Sequence, residues 1–264
     1  RFLMFGSPGA EAVYLRWLRG QAGAGEVSVR SLTSALGGVA ITGPRSRELL
    51  AQVSSVDVSN AAHPFLRARE MAVGLAPCTV LRVSFTGELG YEIYTPPEYL
   101  PAVHDHLMQA GRSRGIRHFG VRALNALRLE KGYGGWGREY TQDYGPAEAG
   151  WSRWVRVDKG AYIGSDAAAR ALSGTPARRL QLLRIDSHDP DPVGGEPVLF
   201  EGRPIARLTS AAFGHTVGCA LGLAYLPSSL DRDAALEVQV LSHHYPARVL
   251  AEPPHDPHGA RMRG

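Results

Sequence analysis

The sequence predicts an α+β region followed by a small all-β barrel, and three observations carry that reading. Up to about residue 172, strand-like and helix-like segments follow one another without strict alternation, which argues for α+β over a βαβ winding. From Arg178 onward the pattern changes to short apolar runs separated by turn residues, the spacing of a small barrel or sandwich. With 264 residues and 44% hydrophobic content, the chain can bury a substantial core in one large or two medium domains. The expected division is an α+β region over residues 1–172, a barrel over 177–253 with the boundary near Ser173-Gly-Thr-Pro176, and a flexible tail over 254–264.

Arg1-Phe-Leu-Met-Phe5 reads as a strand that would start the chain in mid-structure. Because Arg1 rather than Met stands first, a piece of something longer is expected. Gly6-Ser-Pro-Gly9 then leads into a helix over residues 10–19, with Ser7 as N-cap and Pro8 at the first helical position. The layout recurs where a strand at 38–42 meets Gly43-Pro44 and a helix at 45–53. Neither junction continues as G-x-G-x-x-G or supplies a Walker lysine, so both read as ordinary helix starts. Strands follow near 72–75, 79–85 and 91–95, then helices over 97–111 and 121–131, and a last helix that Ser165 would cap. The barrel runs are 180–185, 197–200, 204–208, 221–226, 236–241 and 247–251. Asp189-Pro-Asp-Pro-Val-Gly-Gly195 and Pro227-Ser-Ser229 are among the turns between them.

Composition excludes several classes. No run of about 18 apolar residues predicts a membrane span, and no signal-peptide pattern opens the chain. Cys78 and Cys219 are far apart and form no CxxC pair, so neither a disulfide framework nor a zinc site is indicated and a reducing, cytoplasmic setting is expected. The net charge of +4 is spread along the chain without the basic stripe of a nucleic-acid footprint, and is compatible with an anionic small ligand. No G-x-S-x-G elbow supports a serine nucleophile. His243 and His244, adjacent on a predicted strand, point to opposite faces and make a poor metal site. His255 and His258 lie in the Pro-rich tail, and Asp186, His188, Asp189 and Asp191 lack EF-hand spacing and read as a solvated loop. No metal is expected.

Two places could carry chemistry. Leu81-Arg-Val-Ser-Phe-Thr-Gly-Glu-Leu-Gly-Tyr-Glu-Ile-Tyr94 reads as two short strands joined by a Gly-bracketed turn. Leu81, Val83 and Phe85 share one face of the first, while Tyr91 and Ile93 oppose Glu92 and Tyr94 on the second. If the Glu92 face looks into a cavity, its two acceptor oxygens suit paired N–H donors such as the 2-amino-4-oxo edge of a pterin. The alternative is an acid facing water or a neighbouring base. The second place is the predicted helix 121–131 and the loop Gly132-Tyr-Gly-Gly-Trp-Gly137. Glycines there allow close backbone approach, and Tyr133 and Trp136 could stack on a planar heterocycle or pack in the core. Asn125, polar on an otherwise apolar helix, could simply bond a neighbouring backbone group.

Further motifs join these two. Phe85-Thr-Gly-Glu-Leu-Gly-Tyr-Glu-Ile93, Ala123-Leu-Asn-Ala-Leu-Arg-Leu-Glu-Lys-Gly-Tyr133, Trp136-Gly137, Pro146-Ala-Glu-Ala-Gly150 and Lys159-Gly-Ala-Tyr-Ile-Gly164, in that order, resemble the aminomethyltransferase (glycine-cleavage T-protein) family. The resemblance covers nearly the whole chain, including Arg179-Leu and Tyr245-Pro-Ala247. It is strongest to the folate-binding C-terminal region of dimethylglycine and sarcosine dehydrogenases. It implies a T-protein-like folate-binding region with a C-terminal β-barrel, and tetrahydrofolate held by Glu92 at the pterin edge, with Phe85, Tyr133 and Trp136 around it. The family often has Tyr at Phe85, so a hydroxyl contact is lost there. Leu124 replaces an Arg that helps hold folate in true T-proteins, which favours the dehydrogenase branch.

In that branch a flavin oxidises an N-methyl amine to an iminium, and tetrahydrofolate captures the one-carbon unit as 5,10-methylenetetrahydrofolate. The family's catalytic acid and the FAD domain both lie upstream of anything matching Arg1, so no catalytic residue is assigned here. The partners implied are folate, an N-methylated amine and an upstream flavin domain in the same or a partner chain, with no nucleic acid or membrane. The alternatives are a non-catalytic regulatory or interaction protein of the same fold and a folate-dependent aminomethyltransferase. An iron-sulfur repair protein is disfavoured, because Ala161 stands where that branch has a thiol.

Overall fold

The computed structural model describes residues 2–23, 27–189 and 191–264. They fall into two units: one runs to Ser84 and includes Glu88–His118 and Gly259–Gly264, and the other comprises Phe85–Gly87 and Phe119–His258.

In the first unit, α1 (Glu11–Gln21) is followed by β1 (Gly37–Thr42), α2 (Ser46–Val53), β2 (Ala68–Val73), β3 (Ala76–Leu81), β4 (Gly90–Thr95) and α3 (Leu100–Gly111). The strands form one antiparallel sheet in the order β1-β4-β3-β2. Val39 faces Ile93, Ile41 faces Tyr91, and Val80 meets Ile93 from the other side, so period-2 alternation gathers these side chains on one face. Leu49 and Leu50 of α2 and Val103 and Leu107 of α3 join that face in a single buried cluster. Each such leucine contributes about 1.5–3 kcal/mol by leaving water. Gly74 turns β2 into β3 at φ +60°, and a Cβ there would lie 2.7 Å from Cδ2 of His106.

Three expectations for this unit are corrected. Residues 2–7 are not a strand, and Arg1 lies outside the described residues. Ser7 precedes a single 3₁₀ turn, Pro8–Ala10, and Ala10 stands at the α1 N-cap without a side-chain cap. The predicted strand at 79–85 stops at Leu81. There the Arg82 amide and carbonyl turn away from β4 to pair with Arg67 and Leu66 at 2.9 Å each. The Arg82 side chain is buried, donating to Asn60 Oδ1 at 2.6 Å and to the His63 carbonyl at 2.9 Å. Residues 82–89 are therefore a loop held from inside, and the alternation of Val83 and Phe85 is not used.

The second unit carries α4 (Val121–Glu130), α5 (Ser165–Ser173) and strands β5 (Arg178–Ile185), β6 (Pro197–Phe200), β7 (Arg203–Gly214), β8 (Cys219–Pro227), β9 (Leu236–Val240) and β10 (His243–Val249). The six strands close into a barrel in the order β10-β5-β8-β7-β6-β9, which leaves no open edge. Ile185, Val198, Leu208, Ala224 and Val238 fill it. Leu129 of α4 packs outside the barrel against Leu182, Leu221 and Leu223. Ser165 is not a cap: it is the first residue of α5, preceded by Gly164 at φ +86°.

The stretch 254–264, expected as a flexible tail, is tied down in both units. In the second, the His255 amide donates to the Glu130 carbonyl at 3.1 Å, satisfying a group at the end of α4. Lys131 pairs with Asp256 at 3.5 Å. In the first, α6 (Ala260–Arg263) buries Met262, Arg261 meets Glu88 at 3.1 Å, and the Arg263 carbonyl accepts from Arg82.

Candidate functional site

Glu92 sits in the middle of β4, opposite Ala40 of β1 and Leu81 of β3. Its neighbours in sequence, Tyr91 and Ile93, enter the core, so Glu92 and Tyr94 emerge half-buried on the sheet face away from α2 and α3. Residues two apart on a strand lie about 7 Å apart on one face, within reach of a tyrosine. The Tyr94 hydroxyl donates to Glu92 Oε2 at 2.7 Å. That is the hydrogen bond Glu92 makes among the described residues, and it fixes the carboxylate while leaving Oε1 for another donor. Burial, then the hydrogen bond to Glu92, push the Tyr94 phenol well above its ordinary value, so it stays a donor. Phe5 covers the Tyr94 ring at 4.8 Å. Gly38 makes room for the same ring, since a Cβ there would come 2.9 Å from Tyr94 Cε1.

The other three expected residues belong to the barrel's unit. Phe85 is 39% exposed and begins a turn whose Gly87 lies against the Lys131 stem. Tyr133 is half-buried, directly after α4, and its carbonyl accepts from Arg128 NH1 at 2.7 Å. Trp136 stays 54% exposed but is not a free stacking platform. It meets Tyr140 and Trp151 edge-on, at centroid distances of 6.0 and 5.7 Å.

Beneath that loop lies a polar group the sequence reading missed. Arg128 and Glu139 are buried and paired at 3.1 Å. Arg128 also donates to Asn125 Oδ1 through Nε and NH2 at 3.1 and 2.7 Å. Asn125 in turn donates to the Ala211 carbonyl at 3.3 Å, so it does bond a backbone group, though on β7. Glu139 accepts from the Gly135 amide at 2.7 Å and from the hydroxyls of Thr209 and Ser210 at 2.6 and 2.5 Å. Burial would raise the Glu139 carboxyl, but the hydroxyls of Ser210 and Thr209, the Gly135 amide and Arg128 together hold it below its ordinary value. Burial lowers Arg128, and the nearby Glu139 opposes this. Asn125 and Arg128, three apart on one helix, were the available signal.

The chain's sequence matches the profile of the GCVT N-terminal domain over residues 1–159 and that of the glycine cleavage T-protein C-terminal barrel domain over residues 178–256. The chain belongs to the glycine cleavage T-protein family. Within the family it is 36% identical over 256 residues to mitochondrial dimethylglycine dehydrogenase of Homo sapiens, covering 96% of this chain and 30% of that one. It is 37% identical over 259 residues to 4-methylaminobutanoate oxidase (formaldehyde-forming) of Paenarthrobacter nicotinovorans, again covering 96% and 30%. The chain thus spans about a third of the length of these relatives. The glycine cleavage system aminomethyltransferase T of Bartonella henselae shares the fold at a TM-score of 0.83 and 23% identity, over 94% of this chain and 67% of that one. The T-protein-like architecture and the C-terminal barrel expected from the sequence are therefore present. Among the described residues no helix is long and apolar enough to cross a membrane, and no group of three or more His, Cys, Asp or Glu could hold a metal ion.

Proposed function

We propose that this chain is the tetrahydrofolate-binding portion of an FAD-dependent oxidoreductase of the dimethylglycine and sarcosine type. In this reading it captures the one-carbon unit as 5,10-methylenetetrahydrofolate. The observation that carries it is Glu92: half-buried on β4, it accepts from Tyr94 through one oxygen, and a carboxylate has further acceptor capacity for the paired N–H donors of a pterin edge. The carboxylate acceptor suits the pteridine edge, and we take residues 1–172 as the folate-binding region; Phe85, Tyr133 and Trp136 are carried as proposed folate contacts from the resemblance alone. Folate, when bound, supplies the nucleophilic amine that accepts the carbon. The chain's part is to hold and orient it, a positioning effect. Relatives named for dimethylglycine and for 4-methylaminobutanoate support an N-methylated amino acid as the substrate class. The flavin would be carried by an upstream domain of the same or a partner chain. A cytoplasmic setting remains our reading from the two free cysteines.

Calorimetry with tetrahydrofolate tests the assignment. Replacing Glu92 by Gln removes one charge-assisted acceptor and should cost about 1.5–3 kcal/mol of binding. Equal affinity in Glu92→Gln and the unaltered protein would remove Glu92 from the site.

A further inference from the structure

The loop that carries Tyr133 and Trp136 has glycines at 132, 134, 135 and 137, and so has much backbone freedom to lose on ordering. Two bonds hold it from within. Arg128 NH1 takes the Tyr133 carbonyl at 2.7 Å, and Glu139 Oε2 takes the Gly135 amide at 2.7 Å, so the chain is gripped on either side of Gly134. The two grips are joined by the Arg128–Glu139 pair at 3.1 Å. On the barrel side, Glu139 Oε1 accepts from both Thr209 and Ser210, at 2.6 and 2.5 Å.

Adjacent residues of a regular strand point to opposite faces. Here the pairing of β7 with β8 shifts register between Leu208 and Ser210, and this irregularity brings both hydroxyls to one carboxylate. The Tyr225 hydroxyl adds a bond to the Glu139 carbonyl at 2.9 Å, and the Tyr225 ring stacks on Tyr144 at 3.6 Å. Stability alone accounts poorly for this arrangement, because a buried ion pair often contributes no more than an apolar replacement of the same shape.

We propose that Glu139 is a positioning residue: it sets the conformation of residues 132–140 against the barrel, and through it the placement of Tyr133 toward the ligand. The ligand half of this inference rests on the tetrahydrofolate reading above; the ordering of the loop does not.

The test pairs amide hydrogen exchange with tetrahydrofolate calorimetry on the full chain, for Glu139→Gln and Ser210→Ala, each alone and combined with Tyr133→Ala. Ser210→Ala keeps both charges and decides the matter if Glu139→Gln does not fold. Exchange over residues 132–140 should rise about tenfold while β5 and β8 keep their protection. Tetrahydrofolate affinity should fall about fivefold or more, and by less than about twofold once Tyr133 is already alanine. Unchanged loop exchange, a uniform rise throughout the barrel, or the same loss of affinity with and without Tyr133 would overturn the proposal. A loosened loop in a protein whose unaltered form binds no tetrahydrofolate would support the ordering role and overturn the folate reading instead.

Discussion

Four donors converge on the Glu139 carboxylate, and they decide how it titrates. Its folded value is held below the ordinary Glu value of 4.5, so the unfolded chain takes up the proton first as pH falls. The sign follows: the stability it contributes is present above that ordinary value and is lost as pH drops through 4.5 and on through the lower folded value. Opening of residues 132–140, followed by amide exchange at decreasing pH, should show that loss, and Glu139→Gln should flatten it. An unchanged pH slope in the variant would place the acid sensitivity elsewhere. At neutral pH the same substitution leaves Arg128 buried without its counter-charge, and the cost should appear as opening of residues 132–140 rather than as lost protection in β5 and β8. Glu92 was legible in the sequence because strand alternation needs only its immediate neighbours. Glu139 was not, because its partners come from three segments: α4, its own loop and β7.

At the scale of elements, β4 and β1 are matched through a glycine. Gly38 faces Tyr94, and a Cβ there would press on the ring at 2.9 Å. Gly38→Ala should therefore overpack the sheet at a cost of about 1–3 kcal/mol and move the Tyr94 hydroxyl that fixes Glu92. Urea midpoints and the tyrosine near-ultraviolet signal would check this. A variant of unaltered stability and spectrum would mean the ring moves aside without strain. Helix α4 gives a second case, with Leu129 fully buried between the helix and the barrel. Leu129→Ala should cost about 2–5 kcal/mol, measured as loss of protection in β5 and β8. Strands β5 to β10 were each visible as apolar runs, whereas the strand at 79–85 was overextended. Alternation continues past Leu81 in the sequence, and only the backbone pairing of Arg82 with Leu66 and Arg67 ends it.

Across the whole molecule, each unit contains one cysteine, Cys78 in the first and Cys219 in the second, both buried. Burial raises both thiols above their ordinary value, so little thiolate is present to react at neutral pH. Native protein should resist alkylation, and labelling at increasing urea should report the opening of each unit through its own cysteine. Fast labelling of either thiol without denaturant would contradict the burial described for its unit.

The sequence by itself determined the α+β region, the six barrel strands, the family and the acid on β4. These follow from local periodicity and from motifs in a fixed order. The tertiary structure alone decided where Arg82 ends β3, how 254–264 is tied down, and how a register shift in β7 aims two hydroxyls at Glu139. Each depends on hydrogen bonds between residues far apart in the chain, and periodicity in one segment carries no information about the partner waiting in another.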